Sequence, residues 1–549
     1  MEIRLGDPPA LDDAAHLVAA AGAVLESALQ HGRRLTSNGR GIDEHQVHCE
    51  RLAYLSTELA AAESLVAYAR AQAEAEPDRL VPHLAFAFAA EVAHRLRSSL
   101  HAHGQDFGVE GTSALDGPQL ATLVRAGLAE ARFRAIGREV IARRGVNDCW
   151  LPDELAVMSR ESVRAFARSE VGPHAERIHR HDELVPESII AKMAELGYFG
   201  MSVPEAYGGG GMGNLVMIIT TEELSVASLA AAGSLITRPE ILTKALLAGG
   251  TEAQKQKWLP PIAAGRLMVG IAVTEPDIGS DVASITCRAE RAERGGRSGW
   301  VLNGAKAWST FAGRANVLAL LARTDPDPKR GAKGLSLFIV EKDSFPGHSF
   351  TMREPHGGTL EGKADATPGY RGMHSFTLNF DNYFVPGENL IGEAGGEGKG
   401  FYLQMGGFAA GRLQTGGRAT GLAQAALEAT AAYANDRKQF GAPIGEFQLT
   451  QYKIGRMATH IAAARQLTYA AARIMDREEG RALEPAQAKL LASDVAVWVT
   501  QEGQLVHGGW GYAEEFSISR HVVDALVLPI FEGVKPILEL KVIARALLA

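Results

Sequence analysis

The feature that most constrains this chain is a change of texture that happens twice. Before about Met268, apolar residues recur at helical spacing, as in LAYLSTELAAAESLVAYA (52–69). From Val269 the chain breaks into short runs: VGIAVTEP, GWVLNGAKAW, VLALLAR, GLSLFIVEK and SFTLNFDNYFVP. These are rich in β-branched and aromatic residues and are bounded by Gly, Pro, Asp or Asn. At Gly400 long helical periodicity returns and runs to the end, clearest in GLAQAALEATAAYANDR (421–437). Strands gathered in one block between helical blocks argue against alternating βαβ units and predict a multidomain α+β chain. With 549 residues, one hydrophobic core does not suffice. The expected divisions are a helical N-terminal extension (1–150), a second helical domain (151–269), an antiparallel β domain (270–395) and a C-terminal helical domain (396–549).

The two outer helical blocks resemble each other. HQVHCERLAYLSTELAAAESLVAYA (45–69) lines up with FQLTQYKIGRMATHIAAARQLTYAA (447–471), an offset of 447 − 45 = 402. LVPHLAFAFAAEVA (80–93) lines up with LEPAQAKLLASDVA (483–496), an offset of 483 − 80 = 403. Ala-rich helices resemble one another by composition alone, but the spacing between the two matches is also kept, which points to duplication. Where the C-terminal block continues into HGGWGY (507–512), the N-terminal one has HAHGQDFG (101–108) and lacks the glycine pair.

Charge and cysteine content exclude several classes. Lys and Arg number 56 against 64 Asp and Glu, 56 − 64 = −8, which argues against general affinity for nucleic acid or an anionic membrane. Cys49, Cys149 and Cys287 form no CxxC, so zinc-ribbon and thioredoxin-like readings lack support and a reducing cytoplasm is expected. The start, MEIRLGDPPALDD, is not a secretory signal, and no apolar run reaches membrane-spanning length.

The most specific segment is AVTEPDIGSDVAS (272–284), a strand leading into a turn with Pro276, Gly279, Ser280 and Asp281. Short hydroxyls beside a glycine let N–H and O–H donors approach a ring edge or a pyrophosphate; the same residues also suit an ordinary turn. In WVLNGAKAWST (300–310), alternation puts Trp308 and Thr310 on one face of a strand. QLVHGGWGYAEEF (504–516) is followed by LPIFEGVKP (528–536), which sets Glu532 beside Gly533. The run 208–213 formally satisfies GxGxxG but follows a Pro-Glu turn and not a strand, so it is not a Rossmann fingerprint. His179 and His181 in HRHDE have no second ligand cluster in sequence and read as a solvated loop; His507 suits a structural role as well as a nucleotide contact.

From residue 153 onward the chain resembles the acyl-CoA dehydrogenase family. Seven collinear blocks carry the likeness: LGYFGMSVPEAYGG (196–209), TEAQKQKWLPPIAAG (251–265), AVTEPDIGSD, VLNGAKAWST, DRKQFGAPIGEFQ (436–448), HGGWGY and FEG. The resemblance implies the family's fold, a helical N-domain, a middle β domain and a C-terminal four-helix bundle, with FAD as cofactor. It implies that Thr274 and Ser280 contact the flavin ring and pyrophosphate, that Trp308 covers the isoalloxazine, and that Thr310 bonds near N5. Arg437, Phe440 and Gln448 would reach the FAD of a neighbouring subunit, and Gly508, Gly509 and Gly511 would hold its adenosine half. Glu532 would be the base that removes the proton α to a thioester while the β hydrogen leaves as hydride to flavin N5. Some relatives carry the base just before an arginine matching Arg412; that position is Gly411, which cannot serve. Two departures bear on detail: Leu505 stands where an acidic residue or Gln precedes the glycine pair, with Gln504 one place away, and Val523 and Leu526 replace basic residues around Asp524.

Substrate choice is expected to depend on SLITRPEILTKALL (234–247), which matches the family's acyl-pocket segment. Arg238 would there anchor a distal carboxylate, unless it points outward or pairs with Glu222 or Glu240. Glutaryl-CoA relatives use an arginine at the position of Ala232 instead. The implied substrate contacts are Arg238, Ser280, Arg412 and Gly533. With the N-terminal extension, the chain resembles the branch that oxidises (2S)-methylsuccinyl-CoA to mesaconyl-CoA in the ethylmalonyl-CoA route. The alternatives are a dehydrogenase or oxidase of short branched monocarboxylic acyl-CoAs, or a DNA-binding flavoprotein of the alkylation response, which the net charge and the intact Glu532 site oppose. The resemblance also implies electron-transfer flavoprotein as acceptor and, with the extension covering a tetramer-forming surface, a homodimer.

Overall fold

The computed structural model describes residues 5–109, 113–477 and 481–549. The principal helices are α1 (Leu11–Leu35), α2 (Gln46–Ala75), α3 (Leu80–Phe107), α4 (Pro118–Gly127), α5 (Glu130–Ala142), α6 (Glu154–Phe166), α7 (Gly172–Arg180), α8 (Glu187–Glu195), α9 (Gly213–Ala227), α10 (Thr237–Gly249) and α11 (Glu252–Ala263). Eight strands follow: β1 (Val269–Ala272), β2 (Arg288–Arg294), β3 (Arg297–Thr310), β4 (Val317–Arg323), β5 (Leu335–Glu341), β6 (Ser349–Arg353), β7 (Thr359–Ala364) and β8 (Ser375–Pro386). The chain closes with α12 (Gly400–Asp436), the small hairpin β9 (Lys438–Gln439) and β10 (Ala442–Pro443), then α13 (Gln448–Arg477), α14 (Leu483–His507) and α15 (Ser517–Ala525). It forms two compact units, residues 1–158 with 415–549, and residues 159–414.

In the unit of residues 159–414, the sheet runs β1-β4-β2-β3-β8-β7-β6, with β5 paired to β4. An entirely antiparallel sheet is not what forms: β1 pairs β4 in parallel, Val269 opposite Val317, because the connection from β1 passes through β2 and β3 before β4 returns beside it. Strand β4 shows why its sequence reads as unbroken apolar residues. Val317, Ala319 and Leu321 face a core shared with Ile241, Leu242 and Trp258 of the helices. Leu318, Leu320 and Ala322 face a second core with Trp300, Phe338 and Phe376. Successive side chains alternate between faces, and here both faces are buried.

In the other unit, the N-terminal helices pack directly on the C-terminal ones. The α5–α13 crossing depends on two glycines: a Cβ on Gly137 would lie 1.8 Å from the Gln451 carbonyl oxygen, and one on Gly455 would lie 2.0 Å from that of Phe133. Only side-chain-free positions allow so close an approach. Polar contacts reinforce it. Gln424 donates to the Gly145 carbonyl at 2.6 Å, Asn435 to that of Ile141 at 2.9 Å, and Arg456 and His460 meet Glu91 at 3.0 and 3.1 Å. All three cysteines are free. Among the described residues no helix is long and apolar enough to cross a membrane.

Candidate active site

In the unit of residues 159–414, the turn after β1 is held by a buried ion pair. The Glu275 carboxylate accepts from Lys306 Nζ at 3.0 Å and from Thr286 N, Thr286 Oγ1 and Cys287 N, each at 2.8 Å. Lys306, fully buried in β3, also donates to the Val273 carbonyl at 2.9 Å. Burial by itself raises the Glu275 carboxyl; Lys306 and the Thr286 and Cys287 amides outweigh it and hold the group below its ordinary value. The pair fixes a turn in which Thr274 is half-buried, its carbonyl accepting from Ala307 N at 2.8 Å, while Ser280 is exposed. Both charges lie inside segments already conspicuous in sequence, AVTEPDIGSD and GAKAW, but an acid and a base 31 residues apart do not reveal from spacing that they touch.

Trp308 and Thr310 do not share a face as plain alternation predicts. The β3–β8 register shifts between Lys306 and Ser309, and the bulge puts Trp308 at φ +56°. Trp308 is 59% exposed, whereas Thr310 is buried at 7%, its hydroxyl 3.0 Å from that of Ser375. Arg238 lies in the first turn of α10 and is only 6% exposed, near the fully buried Thr237 and Ile241, which excludes an outward-pointing side chain. Thr237 ties α10 to α12 by donating to Gln414 Oε1 at 2.7 Å. Ala232 is fully buried, Gly411 is buried inside α12, and Arg412 is half-buried beside it. The 208–213 glycine run forms the loop entering α9 with no strand before it.

In the other unit, Glu532 stands in the turn after α15 with a left-handed backbone, φ +55°, and Gly533 follows at φ +99°. Such a conformation in a non-glycine residue requires support from its surroundings. Lys489, fully buried on α14, donates to the Gly533 carbonyl, and the Arg418 guanidinium lies 4.6 Å from the Phe531 ring centre. The Lys535 amide closes the turn on the Pro529 carbonyl at 2.9 Å.

Arg437, just before the β9–β10 hairpin, and Gln448, the first residue of α13, are exposed, and Phe440 at the hairpin tip is 97% exposed with φ +51°. Gly508 and Gly509 are open, whereas a Cβ on Gly511 would lie 2.2 Å from the Gln504 carbonyl oxygen. Gln504 Nε2 donates to the Gly511 carbonyl at 3.1 Å while Leu505 points to solvent, so the neighbouring glutamine secures this loop. Asp524 finds Arg520 one turn earlier on α15, at 3.7 Å, in place of a flanking base. His507 is buried, bonded to the Gly503 carbonyl at 2.7 Å and stacked on Tyr433, which is a structural role. His179 is likewise buried within α7 and not solvated, because α7 packs it inward and its carbonyl receives Arg371 at 3.1 Å.

Comparison with known proteins accords with this architecture. The family model "Acyl-CoA dehydrogenase, N-terminal domain" matches residues 153–266 and the middle-domain model residues 270–383. The C-terminal-domain model matches two segments, residues 12–131 and 398–548. The chain is 38% identical over 536 residues to (2S)-methylsuccinyl-CoA dehydrogenase of Cereibacter sphaeroides, covering 94% of each chain. Among solved structures it is similar to butyryl-CoA dehydrogenase from Megasphaera elsdenii, with TM-score 0.66, 30% identity and coverage of 73% of this chain and all of that one. It is also similar to a glutaryl-CoA dehydrogenase from Mycobacterium smegmatis in complex with FADH2, with TM-score 0.61, 26% identity and coverage of 70% and 92%. The cofactor these relationships entail is FAD, and the residues present suit it: an exposed indole on a bulge, the exposed Ser280 hydroxyl beside Gly279, and an open glycine loop.

Proposed function

Because the chain belongs to the acyl-CoA dehydrogenase family, an FAD-dependent family of oxidoreductases, we propose that its substrate is (2S)-methylsuccinyl-CoA, oxidised to mesaconyl-CoA. The observation that carries this reading is the burial of Arg238. Arg238 lies in the segment that matches the family's acyl pocket, and a planar guanidinium there suits a distal substrate carboxylate through paired hydrogen bonds, alongside the protein groups it meets. Likeness to a methylsuccinyl-CoA dehydrogenase along nearly the whole chain, N-terminal region included, supports the same substrate.

Glu532 is the proposed base. A proton α to a thioester is weakly acidic, so its removal requires a positioned carboxylate and donors on the thioester oxygen, of which the Glu532 backbone N–H is one. Bound FAD supplies the acceptor for the β hydride. Thr274, Ser280, Trp308 and Thr310 are the proposed contacts to its reactive half, and Arg437, Phe440, Gln448, Gly508, Gly509 and Gly511 to a partner subunit's cofactor. Ser280, Arg412 and Gly533 join Arg238 in holding the substrate. The electron acceptor we propose is electron-transfer flavoprotein.

Anaerobic mixing of the FAD-loaded enzyme with a panel of thioesters tests this. Methylsuccinyl-CoA should bleach the flavin, with isobutyryl-CoA and butyryl-CoA much slower. Preferential bleaching by a monocarboxylic thioester would overturn the substrate, and rapid reoxidation in air would identify an oxidase.

A further inference from the structure

Among residues given no role above, three side chains converge whose chemistry is that of metal ligands. Asp182 lies in the turn after α7, His348 immediately before β6 and His374 immediately before β8. His374 Nε2 stands 3.1 Å from His348 Nε2 and 3.0 Å from Asp182 Oδ1, and the three ligand atoms all lie within 4.8 Å of one another. The two imidazoles are tilted by 52° with ring centres 4.4 Å apart, so their nitrogens converge and the rings do not stack flat.

Hydrogen bonding alone satisfies this arrangement poorly. His374 Nε2 carries at most one proton, yet it faces two partners. If it donates to Asp182, its proton is directed away from His348. If it is unprotonated, its lone pair confronts the carboxylate. A cation bound between the three atoms removes the conflict, because each then directs a lone pair at one positive centre. Ligands at about 2.0–2.1 Å around a tetrahedral ion stand roughly 3.3 Å from one another, close to the two short separations here.

We propose that Asp182, His348 and His374 bind a divalent transition-metal ion of the zinc class. Two imidazoles and one carboxylate suit that class and leave a fourth position for water. His348 is exposed, which gives an ion access from solvent, while His374 is only 5% exposed and is held by its surroundings. The charged group that competes is Arg371, whose Nε lies 3.4 Å from Asp182 Oδ1. Arg371 is anchored independently, donating to the carbonyls of Thr367 and His179 at 3.1 Å each, so it does not depend on that carboxylate. A bound ion would clip the turn after α7 to the entries of β6 and β8, a structural role separate from the redox reaction.

The test uses tag-free, FAD-loaded enzyme stripped with EDTA, then equilibrium dialysis against Zn²⁺ with metal and protein quantified together. Wild type should retain one ion per chain with a raised melting temperature. His348→Ala should lose both, and because His348 is exposed its removal leaves the core intact. Asp182→Asn should weaken binding while also preserving the fold. Retention by wild type equal to that of His348→Ala would overturn the proposal, as would saturable binding that leaves the melting temperatures of both proteins unchanged.

Discussion

The Tyr54 hydroxyl donates to Asp494 Oδ2 at 2.8 Å, joining an N-terminal helix to a C-terminal one. Its counterpart is the bond from Arg456 to Glu91 at 3.0 Å. Arg456 is the position that matches Tyr54 at the repeat offset, 456 − 54 = 402, and Asp494 matches Glu91, 494 − 91 = 403. The two contacts are therefore one contact made twice with the partners exchanged, as at the isologous interface of a symmetric dimer. Thr57 and Thr459, also matched, both bond back to the carbonyl four residues earlier at 2.8 Å. We read the N-terminal region as a copy of the C-terminal domain, docked on it as a second subunit would be. Tyr54→Phe leaves Asp494 only its Lys535 partner and should cost about 1–2 kcal/mol, read as a lower urea midpoint at unchanged slope.

Glu532 is the residue whose replacement should separate binding from chemistry. Glu532→Gln keeps shape and hydrogen bonding but removes the base. Methylsuccinyl-CoA should still perturb the flavin spectrum on binding, while anaerobic bleaching slows by roughly 10²–10⁴-fold. Lys489→Met should act through position alone: it removes the donor to the Gly533 carbonyl and should lower the bleaching rate less, with the fold retained. Equal, undiminished bleaching in Glu532→Gln would place the base elsewhere.

Arg238→Met tests the carboxylate anchor. Removing one member of a buried charged pair costs about 2–5 kcal/mol, so kcat/KM for methylsuccinyl-CoA should fall by roughly 10²-fold or more. Turnover of an uncharged short acyl-CoA should be spared, since an apolar side chain of similar reach fills the same space. Parallel losses on both substrates would show Arg238 to be a packing residue.

Much of the fold is legible in the amino-acid sequence. The division into helical, stranded and helical blocks follows from periodicity, because the helices bury one stripe and β4 buries both faces. The likeness of the two outer helical blocks is visible because the offset is preserved. What periodicity does not carry is local irregularity: the bulge at Trp308 breaks a rule of period two, and the parallel β1–β4 pairing depends on where a connection returns. Contacts between distant polar residues were equally hidden. Nothing in the spacing of Asp182, His348 and His374 announces that they meet, and HRHDE drew attention to His179 and His181 while its aspartate is the member that joins the cluster.

If the N-terminal copy occupies the surface that would otherwise receive another pair of subunits, the assembly stops at a homodimer. Light scattering on the full chain should give twice the 58.5 kDa mass, insensitive to concentration over the micromolar range. Glu91→Ala with Tyr54→Ala should loosen the docked copy and shift the protein toward larger species or limited proteolysis near residue 150. A tetramer in the unmodified enzyme would remove this role from the extension.

The pH response should carry the signature of one histidine in that copy. His83 on α3 is 5% exposed, with Arg132 Nη1 2.7 Å from its Nδ1. Burial first, and Arg132 second, push its pKa down from 6.5 to about 4. The unfolded chain therefore binds a proton that the folded one refuses in this window, so His83 contributes stability above pH 6.5 that is lost as pH falls through about 4. Melting temperature should decline across that interval, and His83→Gln, which cannot ionise, should flatten the decline while leaving the value at pH 8 little changed. An identical pH profile in the variant would show that other groups carry the acid sensitivity.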